Sequence, residues 1–384
     1  MGRFHRRAIR SLLVACAFAL SACTHVHVAF LADDNWGGRV PGTAGHESAQ
    51  SYVVAYLAAH GAEAMDGTTD PAAYRAPYAT GTNLIARIPG TDLADEIVLV
   101  GAHYDHIANC TNKGGSAVCN GATDNAAGTA IVLEIAAALF DRGAPPRRTV
   151  VFAFWDEEER GLRGSREWIN ANPDLVDDIV TYVNYDIAGA NLLPSLAAET
   201  LAVGAESGGA ALAAAVEAAG ATAPVDLNLL SLVFGQGRSD HANFFNESVP
   251  TVFFTDATGP CYHTTGDSFA VLDVDKLQQQ RDIGVALVSD LADGATNPTF
   301  DGTAPLVSFD DAVIIQSLLE QGLVDLDRFS PADAATLTGH EATLQTIVDA
   351  GAGGFTSASQ TSLLLASLDL VRILTTGECD GFLD

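Results

Sequence analysis

The sequence predicts a three-layer α/β/α domain on a mostly parallel central sheet, followed by a small helical C-terminal region. Three observations point there. Apolar runs of strand length recur up to about residue 255, and several are apolar on both faces, as strands covered by helices on both sides must be. These runs alternate with segments carrying a helical apolar stripe, the order that gives parallel strands joined by crossover helices. After Asp293 to Pro305, rich in Gly, Asn, Thr, Asp and Pro, only helical patterns remain. With 384 residues and 48% hydrophobic content, the chain can build one large core and a smaller neighbour.

The elements follow in order. Arg3, Arg6, Arg7 and Arg10 precede an apolar run, Leu12 to Leu20, and a small-residue exit, Ser21-Ala22, which reads as an export segment over residues 1–23. Its last residues, Leu20-Ser21-Ala22-Cys23, resemble the lipobox of bacterial lipoproteins. That likeness implies a lipid anchor at Cys23 and a cell-envelope location, at the outer membrane or the periplasmic face; plain secretion is the alternative. Residues 24–35 read as a tether, 36–295 as the main domain, 296–305 as a linker and 306–384 as the helical region.

Within the main domain, residues 46–60 carry a helical stripe. Thr82 to Ile88 and Glu96 to Ala102 read as strands on either side of the turn Pro89-Gly90-Thr91. Residues 125–140 form an Ala-rich helix. Val150 to Trp155 is a near-continuous apolar strand that ends in acid, and a short helix follows near Ser165 to Asn170. Strands at Ile179 to Tyr185 and Thr251 to Phe254 and helices at 207–219 and Val274 to Leu291 complete it. Asp310 to Gln321, Pro331 to Ala350 and Ser359 to Thr376 read as three further helices. Asp325, Asp327 and Asp333 among them lack the glycine and terminal glutamate of a calcium loop.

A formal net charge of −29 disfavours nucleic acid as a partner. Four cysteines follow Cys23, and Cys110 with Cys119 is the favoured local disulfide.

The chemistry-bearing residues sit at element ends. In GAHYDH, His103 follows a strand and Asp105 stands two residues on, close enough to orient a ligating imidazole. In GATDNAAG, Asp124 enters a helix, where it reads either as an N-cap or as a carboxylate spanning two metal ions. In FWDEEERGLRGS, four acids abut a buried strand; adjacent carboxylates can divide metal binding from proton transfer. Asp186 ends VTYVNYD, and His263 lies in CYHTTGDS. Each has a structural reading on its own. Together they form an oxygen-rich set with two imidazoles, which suits zinc or a comparable divalent ion.

GAHYDH, GATDNAAG, EERGLRGS, NYDIAG and YHTTGD, with the earlier GRVPGTAG, resemble the zinc-dependent M28 peptidases, a family that includes bacterial aminopeptidases with two co-catalytic zinc ions. The resemblance covers residues 36–292. It implies that His103 and Asp186 complete one Zn2+ site and Glu159 and His263 the other, with Asp124 bridging. Glu158 becomes the general base, Asp105 orients His103, and Tyr262 steadies the oxyanion. Arg238, Asp240 and His241 in GQGRSDHANF resemble a segment near the family's cleft, while His106 is expected outside the ligand set. The implied activity is an exported aminopeptidase acting on peptides with a free N-terminus. A carboxypeptidase or other amide hydrolase of the same fold, a glutaminyl-cyclase-like enzyme and a non-catalytic surface lipoprotein stay open as alternatives.

Overall fold

The computed structural model describes residues 24–294 and 296–380. The export segment and Cys23 lie outside the described residues. The described chain opens with a helix, α1 (Thr24–Leu31), where the sequence reading places a tether. Val28 and Leu31 enter the core, and the one buried polar ring, His27, bonds Tyr52 Oη at 2.8 Å and Glu134 at 2.9 Å. Burial of this helix therefore leaves no polar cost at His27.

The remaining elements are α2 (Ala44–Ala59), β1 (Arg75–Pro77), β2 (Thr82–Ile88), β3 (Leu93–His103), α3 (Ala127–Asp141), β4 (Arg148–Trp155), α4 (Arg163–Ala171) and α5 (Pro173–Asp177). Then come β5 (Ile179–Tyr185), β6 (Glu199–Val203), α6 (Gly209–Gly220), β7 (Asp226–Leu230), α7 (His241–Asn246), β8 (Thr251–Thr255) and α8 (Val274–Ala292). The C-terminal helices are α9 (Phe309–Gly322), α10 (Pro331–Asp349) and α11 (Ser357–Leu374).

The eight strands form one sheet in the order β1-β2-β4-β3-β5-β8-β6-β7. Its centre, β4-β3-β5-β8, is parallel. Both flanks bring in antiparallel pairs: β1 with β2, β2 with β4, and β6 with β8. Although β2 and β3 are consecutive in the chain, β4 lies between them. Strands β1, β6 and β7 escape the sequence reading because they are short and carry polar or half-exposed residues such as Glu199, Asp226 and Asn228.

Alternation along the strands sorts the cores. Val98, Val100 and Ala102 of β3, with Phe152 and Phe154 of β4, meet α1, α2, α3 and α8. Leu99, Val151, Trp155 and Tyr182 face the other way, onto Trp168 of α4 and Phe244 of α7. Farther along that second face, Val203, Leu230 and Phe253 pack with Ile315, Leu319, Leu337 and Leu363. The C-terminal helices thus share a core with the sheet. Of the acids weighed above for calcium, Asp325 accepts the Ser195 amide, and Asp333 accepts from Ser330 Oγ at the start of α10.

Among the described residues two disulfides are present, Cys110–Cys119 and Cys261–Cys379. The second joins the loop after β8 to the chain after α11. Lys113 Nζ supports the same junction by donating to the carbonyls of Pro260, Thr375 and Gly377. Among the described residues the one helical stretch long and apolar enough to cross a bilayer, Ala122–Asp141, is buried within the protein.

Glu134 on α3 carries the polar load of this first core, accepting from Tyr56 Oη at 2.7 Å as well as facing His27. Replacing it with Ala removes both bonds, so Glu134→Ala should lower the unfolding free energy by roughly 3 kcal/mol. Urea unfolding of the variant checks this; a loss below about 1 kcal/mol would contradict the assignment.

Candidate metal centre

Parallel strands bring their carboxyl ends to one edge, and that edge holds the site. β3 ends on His103, β4 runs into Asp156 to Glu159, and β5 runs into Asp186. Asp124 arrives from the turn leading into α3, and His263 from the loop after β8. Gly121 makes the close turn possible: its φ is +56°, and a Cβ there would stand 2.1 Å from the Asp124 carbonyl and 2.7 Å from the His106 ring.

The four consecutive acids divide into two pairs. Asp156 accepts from His46 Nε2 at 2.8 Å and from the Thr82 amide at 2.7 Å. Glu157, fully buried at a left-handed φ of 55°, accepts from Arg160, Thr80 and Tyr78. Both are occupied in shaping the loop. Glu158 and Glu159 remain, and both line the cleft together with Asp124, Asp186 and Tyr262.

Two groups of potential metal ligands result, and they share Asp124. Nε2 of His103 lies 3.3 Å from Asp124 Oδ1 and 3.2 Å from Asp186 Oδ1. On the other side, Nε2 of His263 lies 3.2 Å from Asp124 Oδ2 and 3.0 Å from Glu159 Oε2. Ligands bound to zinc at about 2.0–2.2 Å in a tetrahedron stand roughly 3.3–3.6 Å from one another. The observed spacings are close to that. Asp124 Oδ2 and His263 Nε2 are moreover buried without a hydrogen-bond partner, the condition of atoms built to hold an ion. His103, Asp124 and Asp186 form one candidate metal group, and Asp124 and Glu159 belong to the other. This arrangement is a two-metal centre of the zinc type.

His106 comes closer than the sequence reading expects. Its Nδ1 sits 2.9 Å from Glu159 Oε1, and it joins Asp124 and Glu159 in the second metal group. The two oxygens of Glu159 therefore face different imidazoles, Oε1 toward His106 and Oε2 toward His263.

Support comes from buried neighbours. Asp105 Oδ1 accepts the Glu158 amide at 3.1 Å and lies 3.5 Å from His103 Nδ1, whose nearer partner is the Asp105 carbonyl at 3.2 Å. Asp267 accepts the amides of Thr123 and Asp124, at 2.8 and 3.1 Å, which fixes the turn that presents the shared carboxylate. Arg39, only 1% exposed, donates to the carbonyls of Leu31, Tyr104, Asn120 and Gly121 and so ties the loop after β3 to the turn before Asp124. The sequence reading assigned neither Arg39 nor Asp267 a role. Both lie inside quoted motifs, GRVPGTAG and YHTTGD, and that membership was the available signal.

The electrostatics follow from packing. Burial, reinforced by Asp186, Asp240 and Glu159, holds the Glu158 carboxyl well above the usual range despite His103. Burial would raise Asp124 too, but the adjacent His103 and His263 imidazoles hold it well below. Asp240, bonded to Ser165 Oγ, is pushed up to about 7 by burial. His241 is held neutral by burial, down to about 3, and stacks on Phe253 at 4.5 Å. It borders a neighbouring groove rather than the metal groups. Tyr262 stacks on His263 at 3.9 Å, and Arg238 stands exposed at the cleft.

Residues 83–288 match the model for peptidase family M28. Over 161 residues the chain is 32% identical to leupeptin-inactivating enzyme 1 of Streptomyces exfoliatus, covering 42% of this chain and 33% of that protein. Over 128 residues it is 37% identical to a probable glutamate carboxypeptidase of Arthroderma benhamiae, covering 32% of this chain and 16% of the relative. The chain thus spans a third or less of the length of these curated relatives. In structure it is similar to the Legionella pneumophila LapA aminopeptidase, with a TM-score of 0.57 and 16% identity over 73% of this chain and 74% of that one. That last likeness is one of fold.

Metal-free protein titrated with zinc should take up two ions per chain, and Asp124→Ala should weaken both sites because both candidate groups contain it. Elemental analysis after desalting checks this. A single ion per chain, or loss of one site with the other intact in the variant, would break the shared-ligand arrangement.

Proposed function

The chain belongs to peptidase family M28, and from that premise we propose an exported zinc-dependent aminopeptidase that hydrolyses N-terminal peptide bonds with Glu158 as general base. The observation that carries the reading is the position of Glu158. Its Oε2 is 4.0 Å from His103 Nε2, yet it belongs to neither candidate metal group. A carboxyl beside the ligands, free of ligation and held toward neutrality by burial, is suited to moving a proton.

His103 and Asp186 would hold one ion, Glu159 and His263 the other, and Asp124 both. His106 would steady Glu159 through its other oxygen, as hydrogen-bonded carboxylate ligands commonly are. The two ions, when bound, would acidify a water and polarise the scissile carbonyl. Glu158 takes the proton of the attacking water and returns it to the leaving amine. Tyr262, whose phenol burial keeps protonated, donates a hydrogen bond to the developing oxyanion. Asp105 keeps the His103 ring in place and, through the Glu158 amide, the base as well.

Export is in keeping with the N-terminal pattern and with two disulfides, which persist in oxidising compartments. One observation favours a carboxypeptidase instead. Arg238 lines the cleft and offers a cation to a substrate carboxylate.

Two outcomes test this. Glu158→Gln should retain two zinc ions and lose about 10²–10⁴-fold in kcat; unchanged turnover would remove Glu158 from the role of base. A dipeptide amide should be cut and its N-acetylated twin spared in a chromatographic assay, whereas equal rates on both would sink the aminopeptidase assignment.

A further inference from the structure

The cleft over the metal groups continues into a second cavity of about 140 Å³. Leu201, Leu230, Phe234, Ala257 and Val371 line both spaces, so the two form one path leading from Glu158 and Tyr262 into an apolar recess. Part of the recess wall belongs to the main domain. The rest is C-terminal: Ile315 and Leu319 of α9, Leu337 of α10, and Leu370, Val371 and Leu374 of α11. Val371 is the C-terminal residue that reaches the cleft itself.

Resting on the aminopeptidase reading, we propose that the C-terminal helical region completes the substrate site. It walls a pocket for a large apolar side chain of the residue being released, and Val371 at the throat sets which side chains enter. An apolar cavity near 150 Å³ accepts a benzene ring, so a recess of this size suits a Leu or Phe side chain and is underfilled by Ala. Its charged groups disfavour an acidic side chain, and its lining is mostly apolar. Asp256 at the recess lies 3.2 Å from Lys276 Nζ and accepts from Gln280 and the Ala190 amide, which leaves it no demand for a cationic side chain. Glu199 accepts from Asn228 and would repel an acidic one. The region is also pinned to the reacting centre: Cys379 is joined to Cys261, the residue before Tyr262, and Lys113 ties Thr375 and Gly377 to Pro260.

The experiment uses the full-length zinc-loaded chain and Val371→Phe, Val371→Ala and wild type. Each is assayed on two matched series of dipeptide amides, with free and with acetylated N-termini, whose first residue is Ala, Leu, Phe, Trp, Lys or Glu. Wild type should prefer Phe and Leu over Ala, Lys and Glu by about ten- to a hundredfold in kcat/KM. Val371→Phe should lower the Phe-to-Ala ratio at least about tenfold by filling the throat, and Val371→Ala should raise the Trp-to-Phe ratio at least about threefold. Zinc content and thermal unfolding show which variants are folded, and if Val371→Phe is not, Val371→Ala decides. Ratios unmoved in the folded variants overturn the pocket while leaving the aminopeptidase reading in place. Cleavage confined to the acetylated series overturns the aminopeptidase reading, and the same ratios within that series then decide the pocket. No cleavage in either series overturns both.

Discussion

Oδ1 of Asp124 meets the ring of His103 while Oδ2 meets the ring of His263, and the surrounding structure holds that one carboxylate between them. The demand is severe because Asp105, Glu158, Asp186, Asp240 and Asp267 are also buried within the same strand-end region. Gathering so many acids out of water costs several kcal/mol for each uncompensated charge. Compensation comes from the buried guanidinium of Arg39, from imidazoles, from backbone amides and from a donor geometry matched to divalent ions. A buried carboxyl that escapes such compensation shifts toward its neutral form, as burial does to Glu158 and Asp240.

That constraint explains why the neighbouring loops are so heavily tied. Asp267 anchors the turn that carries Asp124, Asp105 anchors the amide of Glu158, and Asp156 anchors the loop after β4 to β2 and α2. Acids thus appear in two kinds of position, some aimed at the ion-holding space and others accepting amides so that the first kind stays aimed. The parallel centre of the sheet makes this economical, because β3, β4 and β5 deliver their ends side by side.

The C-terminal helices belong to the same arrangement. They bury Ile315, Leu319 and Leu363 against Val203, Leu230 and Phe253, on the face of the sheet that also borders the cleft. The Cys261–Cys379 link then couples their last turn to the loop of Tyr262 and His263. A region set apart along the chain packs in space against the sheet of the main domain.

Much of this was legible in the sequence. β2 and β5 have the bounds the apolar runs predict, because each is a short buried run closed by a turn residue or an acid. His103, Asp124, Glu159 and Asp186 could be singled out because each stands at or just beyond the end of a strand or the mouth of a helix, His263 because it follows the last apolar strand in CYHTTGDS, and GLRG separated Glu158-Glu159 from the acids before them. The sequence could not show that residues 24–31 form a core helix, since its partners, Tyr52 and Glu134, lie 25 and 107 residues away. Nor could it show β6 and β7, whose residues owe their strand state to pairing on the sheet edge. Residue type and local period by themselves determined the α/β class and the inventory of possible ligands, because those depend on neighbours in the chain. Which oxygen of Asp124 faces which imidazole, how close His106 comes to Glu159, what Arg39 clamps and which helices wall the cleft were decided by tertiary structure alone, because each depends on groups brought together from distant segments by packing.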